Sequence, residues 1–185
     1  MKKLLLVFAL VVGAVTVSAQ EVGSVWVGGS AGITTSKPKG GSSTTNYKFI
    51  PEVGYVLSDN LGVGVKLGYA KDMQSFGKEG SLKVKTFNVN PFVRYTFLKG
   101  GIGSLFVDGG IGYANSDIEG ADKKMNTYEL GFRPGVAINV TEKVSVLGHF
   151  GFLGYQHEKW GDAKTNTYGL DLDMTQFTLG VNVFF

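Results

Sequence analysis

The chain has 185 residues, of which 28 are glycine, 4 proline and none cysteine, with 12% aromatic residues. A formal charge of +3 carries no nucleic-acid signature, and the lack of cysteine excludes disulfides, thiol chemistry and cysteine-held metals. The length fits one domain, and a glycine-rich, aromatic-rich, cysteine-free composition points to β structure with crowded or strongly bent strands.

The chain opens with Met1-Lys2-Lys3, an apolar run from Leu4 to Val17, and then Val17-Ser18-Ala19 before Gln20. A basic start, an apolar centre and a small-x-small end predict a signal peptide over 1–19, cut after Ala19. The run falls short of the roughly 18–20 residues a spanning helix requires. Removal of Lys2 and Lys3 leaves a net charge of +1. No later apolar run is long enough for a transmembrane helix, so the rest, 20–185, is read as one domain.

From there the hydrophobic period is two. Eight alternating segments follow in order: 23–35, 46–57, 61–71, 82–97, 104–115, 125–140, 144–157 and 168–185. In the third, Leu61, Val63, Val65, Leu67 and Tyr69 share one face against Gly62, Gly64, Lys66, Gly68 and Ala70. In the sixth, Tyr128, Leu130, Phe132, Pro134, Val136, Ile138 and Val140 oppose Glu129, Gly131, Arg133, Gly135, Ala137 and Asn139. Three connections are short: Ser58-Asp59-Asn60, Leu98 to Gly103, and Thr141-Glu142-Lys143. Four are longer and polar: Ser36 to Thr45, Asp72 to Ser81, Ser116 to Lys124, and Glu158 to Thr167. Antiparallel hairpins with tight turns on one rim and longer loops on the other predict an all-β, eight-stranded, up-and-down transmembrane barrel. Both termini are then expected on the periplasmic side.

An internal repeat has the same period as one down-and-up hairpin. Phe49-Ile50-Pro51-Glu52-Val53-Gly54-Tyr55 resembles Val89-Asn90-Pro91-Phe92-Val93-Arg94-Tyr95, and Phe132 to Val136 is a weaker copy. Proline cannot donate to a ladder, so a bulge or a missing hydrogen bond is expected at Pro51, Pro91 and Pro134.

The polar face holds Glu52, Lys66, Arg94, Asp108, Glu129, Arg133, Gln176 and Asn182 and is rich in glycine. The apolar face runs for 9–13 residues in the longer segments, whereas a tilted membrane strand needs about 9–11. Tyr47, Tyr69, Tyr113, Tyr128 and Tyr155 fall near one set of strand ends, and Tyr55, Tyr95, Phe97 and Phe185 near the other. Such girdles suit a membrane barrel with its apolar face outward. Alternation is equally compatible with a soluble, lipocalin-like barrel having its apolar face inside.

The last residues, Phe177 to Phe185, place an apolar side chain at every second position back from the terminal Phe185. With the Pro-x-Val-x-Tyr strands, this resembles the small outer-membrane barrels typified by OmpA-, OmpX- and OmpW-type proteins of Gram-negative bacteria. The resemblance implies export to the cell outer membrane and an assembly signal at Phe185 for the barrel-assembly machinery. Expected partners are outer-membrane lipids and lipopolysaccharide, contacted by short basic pieces such as Lys37-Pro38-Lys39 and Lys123-Lys124. A monomer that binds no nucleic acid is expected.

Eight strands leave a lumen that side chains can fill. Glu52, Lys66, Arg94, Asp108, Glu129, Arg133 and His149 are therefore expected to form a polar lumen network. The turn centred on Asp59 places Glu52 opposite Lys66, and the turn after Leu98 places Arg94 opposite Asp108. The turn at Glu142 places Gly135 opposite His149 and Arg133 opposite Gly151, with Phe150 and Phe152 on the lipid face. That register leaves Tyr155 out of line with Tyr69 and Tyr113. A structural or surface role behind a plugged lumen follows. The alternative is a narrow pore, or the lateral path for small hydrophobic solutes that OmpW resemblance implies. Catalysis is not expected. The only histidines are His149 and His157, and no nucleophile–base arrangement, metal site or cofactor motif accompanies them. Gly109-Gly110-Ile111-Gly112 lies within a strand and is no nucleotide loop.

Overall fold

The computed structural model describes residues 21–36, 43–75, 81–120, 123–171 and 178–185. The expected signal peptide, Lys37-Pro38-Lys39 and Phe177 lie outside the described residues. The described elements are β1 (Val25–Ser36), β2 (Ser43–Ser58), β3 (Leu61–Ser75), β4 (Ser81–Gly100), β5 (Gly103–Ile118), β6 (Met125–Asn139), β7 (Val144–His149), β8 (Phe152–Trp160), β9 (Ala163–Asp171) and β10 (Thr178–Phe184). All pair antiparallel, in the order β1-β2-β3-β4-β5-β6-β7-β10, and β10 returns to β1. β8 continues β7 along β6, and β9 pairs with β8. Taken as continuations, β7 with β8 and β9 with β10 are the seventh and eighth strands of a closed eight-stranded barrel.

Several expected loops are instead strand. β2 starts at Ser43, β3 reaches Ser75 and β5 reaches Ile118. The expected loop from Glu158 to Thr167 is a hairpin turning at Gly161-Asp162, where Gly161 takes φ +61°. Polarity was the signal for a loop there, but pairing belongs to the backbone, and Thr165, Thr167 and Tyr168 suit a strand. Two of the short turns are also tighter than expected. β2 turns to β3 at Asp59-Asn60 and β4 to β5 at Gly101-Ile102, with register shifts between Val56 and Ser58 and between Thr96 and Leu98. Thr141 Oγ1 closes the third turn by accepting the amides of Lys143 and Val144 at 3.2 and 3.0 Å.

Pro51, Pro91 and Pro134 each interrupt one ladder. Pairing between β2 and β3 lapses at Ile50-Pro51, and between β4 and β5 at Asn90-Pro91, with the register unchanged on either side. Pro134 lies where β6 passes from β8 to β7, opposite a true bulge. Gly135 opposes His149 on β7, but Phe132 opposes Leu153 on β8, so one extra residue has entered the seventh strand at Phe150-Gly151. Gly151 adopts φ +73°, and the Phe150 amide bonds the Pro134 carbonyl at 3.1 Å.

A single inserted residue exchanges the two faces of everything beyond it. His149 and Tyr155 thereby satisfy both demands that an unbroken strand sets in conflict: His149 points into the lumen, and Tyr155 is 40% exposed on the outside. The expected lipid-facing position of Phe152 is overturned. Its ring lies inside beneath the Arg133 guanidinium, 4.6 Å away. Arg133 opposes no residue of the seventh strand. Because left-handed φ is costly for β-branched residues, Gly151→Val is expected to destabilise the barrel by about 1–2 kcal/mol, read from urea unfolding in lipid vesicles. Unchanged stability would mean that the bulge is not held by this glycine.

The outer face carries the expected girdles. Tyr47, Tyr69 and Tyr128 are exposed at one rim and Tyr55, Tyr95 and Phe97 at the other, with Phe49, Val93 and Leu130 among the exposed apolar residues between. The buried aromatic residues Trp26, Phe92 and Phe106 stand in the lumen. Lumen glycines seat them: any side chain at Gly54 would collide with the Trp26 ring, and one at Gly135 with Phe106.

Candidate functional site

The site is the middle of the lumen. Alternation on β2, β3, β4 and β5 brings Glu52, Lys66, Arg94 and Asp108 inward at one level. Glu52 opposes Lys66, and Arg94 opposes Asp108. Arg94 and Asp108 form a forked ion pair, Nε to Oδ1 at 2.7 Å and Nη2 to Oδ2 at 2.8 Å. Lys66 does not bond to the Glu52 opposite it. Its ammonium crosses the lumen to donate to Asp108 Oδ2 at 2.7 Å. Glu52 Oε1 instead accepts Trp26 Nε1 at 3.0 Å and Asn182 Nδ2 at 2.7 Å, and lies 3.5 Å from Arg94 Nη2. Arg94 thus bridges both carboxylates.

His149 enters from β7, with Nε2 at 2.9 Å from Asp108 Oδ2 and 3.3 Å from Lys66 Nζ. Since a carboxylate only accepts and an ammonium only donates, the bond to Asp108 assigns the proton to Nε2. The His149 ring meets Phe106 edge-on at 5.2 Å. Asp108 receives four donated contacts, about the capacity of one carboxylate. Two acids and two bases make the inner group neutral, which limits the cost of burying charge.

Three rings enclose the Arg94 guanidinium: Phe106 at 4.3 Å, Phe92 at 5.2 Å and Trp26 at 5.5 Å. Such planar stacking suits arginine and not lysine. Sequence reasoning placed the charges inside but missed this cage. Its signal was a large aromatic residue on the glycine-rich face, as at Trp26, Phe92 and Phe106. Asn182, read on the polar face, is 1% exposed and joins the network through Glu52; missed was Ser145, whose hydroxyl donates to Asn139 Oδ1 at 2.9 Å.

Glu129 and Arg133 form a separate group nearer the other rim. Arg133 Nη2 donates to Glu129 Oε2 at 2.8 Å, and Asn90 Nδ2 donates to Oε1 at 2.8 Å. Among the described residues no buried side-chain nitrogen or oxygen lacks a partner, and no group of three or more histidines and carboxylates is placed to hold a metal. The charged group stands between two sets of cavities. On the turn side lies a cavity of about 70 Å³ bounded by Trp26, Arg94, Phe106 and Phe184. On the other side lie cavities of about 110 and 490 Å³, both reaching Lys48, Arg133 and His149. Phe185 sits at the seam, where it exchanges two backbone hydrogen bonds with Val25 at 2.8 and 3.0 Å.

Apolar outside and charged inside is the inversion that distinguishes a membrane barrel from a soluble one, and the comparisons agree with it. A search of curated proteins finds no significant match. Among solved structures, the chain is similar to Neisserial surface protein A at 17% identity and a TM-score of 0.53, covering 88% of this chain and 96% of that one. It is also similar to the outer membrane protein OprG from Pseudomonas aeruginosa at 13% identity and a TM-score of 0.57, covering 92% and 99%. At these identities the likeness is one of fold. The family described as outer membrane protein beta-barrel domain matches residues 4–185. With its closed eight-stranded wall, lipid-type exterior and charged interior, the chain belongs to that family of outer-membrane barrels.

Proposed function

We propose that this barrel is closed to solutes by its own side chains and serves a structural or surface-interaction role in the outer membrane, without catalysis. The observation that carries this reading is the Arg94 node. One guanidinium is tied to Asp108 and Glu52 and enclosed by Trp26, Phe92 and Phe106, which leaves the middle of the lumen to protein atoms. Phe185 at the seam is the assembly signal in this reading, and outer-membrane lipids are the immediate surroundings.

In planar bilayers the refolded chain should give no conductance steps. Arg94→Ala, which removes the guanidinium at the centre of the lumen, should give small ones. Stable conductance from the unaltered chain would refute the plugged reading. It would favour the second reading, passage of a small solute, for which the 490 Å³ cavity reaching Phe152, Gln156 and Leu170 provides room. Uptake of small neutral solutes by vesicles carrying the protein separates that reading from ion leakage.

A further inference from the structure

Two lysines stand on the outer wall where alternation puts lipid-facing residues. Lys71 of β3 and Lys85 of β4 are direct cross-strand partners. The pair lies one step beyond Tyr69 and Phe87, which also oppose each other and are 48% and 53% exposed. Directly opposed like charges repel, and a sheet normally avoids them. On its other side Lys71 opposes Tyr47, an uncharged residue. Lys85 opposes Asp117, whose carboxylate lies 3.8 Å from Lys124. Lys83, nearby on β4, is held by Glu119 at 3.0 Å. Among the described residues no carboxylate lies within ion-pair distance of Lys71 or Lys85. The arrangement recurs farther out, where Lys159 of β8 opposes Lys164 of β9.

An aromatic girdle marks the membrane–water boundary. A cation pair just beyond it lies at the height of lipid phosphates. Opposed residues have Cβ atoms about 4.5–5.5 Å apart, so two flexible lysine stems can bring both ammonium groups to one anion. A phosphomonoester, with a charge near −2 and three acceptor oxygens, matches two ammonium donors in charge. A phosphodiester supplies one charge.

We propose that Lys71 and Lys85 form a binding site for the phosphomonoester headgroup of an outer-leaflet lipid. The proposal rests on the outer-membrane reading with this rim facing outward. Its test uses the full chain refolded in phosphatidylcholine nanodiscs doped with phosphatidic acid or phosphatidylglycerol, with lipid retention read by native mass spectrometry. The unaltered chain should retain phosphatidic acid over phosphatidylglycerol. Lys71→Gln with Lys85→Gln should weaken that retention about tenfold, equivalent to about 1.4 kcal/mol. Lys123→Gln with Lys124→Gln, the same loss of charge in the loop, should change it little. Equal retention by all three chains, or equal loss in both double variants, would overturn the site. Displacement of the lipid by inorganic phosphate would identify a free-anion site and overturn the lipid assignment. Orientation is tested separately by single-cysteine labelling of intact cells. Gly161→Cys should react and Asn60→Cys and Glu142→Cys should not. The reverse would overturn the orientation, and the outer-leaflet assignment with it, whatever the nanodiscs show. Gly40, Gly77 and Asp122, expected on the same rim as Gly161, lie outside the described residues.

Discussion

Arg94→Ala should destabilise the refolded barrel by about 3–5 kcal/mol, the range for breaking a buried ion pair from one side. Arg94 and Asp108 are 9% and 3% exposed, so water cannot replace the lost partner freely. Removal of the guanidinium leaves Asp108 with Lys66 and His149, and Glu52 with Trp26 and Asn182. It also empties the space between three aromatic rings. Arg94→Lys should recover little, because an ammonium provides neither the fork to Asp108 nor the flat face the rings enclose. Asp108→Ala should cost a similar amount, since Arg94, Lys66 and His149 all converge on it. Removing Arg94 and Asp108 together in favour of Met and Leu should cost less than either alanine change alone. Urea titration in lipid vesicles, read by tryptophan emission and by migration of unheated samples on gels, measures all four. Additive losses would mean that the pair is not coupled and that the plug is held by packing alone.

The second large effect lies on the opposite face of the same wall. Val93 is one residue from Arg94, opposes Val63 and Gly109, and is 45% exposed. Val93→Arg should cost about 2–4 kcal/mol, the range for arginine near the bilayer midplane. Val136→Arg should act in the same direction and more weakly, because two outward positions farther along the strand, at Val140, the chain leaves the sheet. Gly131→Arg fails for another reason. Its side chain would meet the Phe152 ring inside the barrel, so the loss comes from overpacking. The mechanisms separate in detergent: thinner or more hydrated surroundings should relieve Val93→Arg but not Gly131→Arg. A harmless Val93→Arg in bilayers would mean that this face does not meet lipid.

The eight-segment architecture was legible because a membrane strand is a long local pattern. Its period of two runs uninterrupted through β3, β4 and β6, and the tight turns set which residues oppose one another. Glu52 with Lys66 and Arg94 with Asp108 follow from counting outward from two turns, because the register shifts at Leu57 and Phe97 lie on the turn side of both pairs. The prolines were legible too, as ladder interruptions, because a missing N–H is a property of the residue itself.

Other features were beyond local pattern. The bulge at Phe150-Gly151 left a trace only as a conflict between two alignments of the seventh strand, one fitting His149 and the other Tyr155. Its resolution needed the partner strand, where Pro134 leaves a gap in the ladder that an extra residue can occupy. From that one insertion Phe152 turns inward, against expectation. The choice of Asp108 over Glu52 by Lys66 is likewise a fact of closure. Cross-strand opposition sets Cα neighbours, but long side chains reach across a narrow lumen to whatever the far wall presents.

The sequence by itself therefore determined the eight-stranded barrel architecture, the set of charges sharing one face and the local register, all consequences of alternation and turn geometry over a few residues; only strand length and the aromatic girdles pointed that face inward. The tertiary structure alone decided which charges bond, how Trp26, Phe92 and Phe106 enclose Arg94, and that Lys71 and Lys85 form a bare cation pair above the girdle. Those relations join residues on different strands. They exist only once the wall has curved and closed, because closure sets the distances across the lumen and the height of each side chain in the membrane.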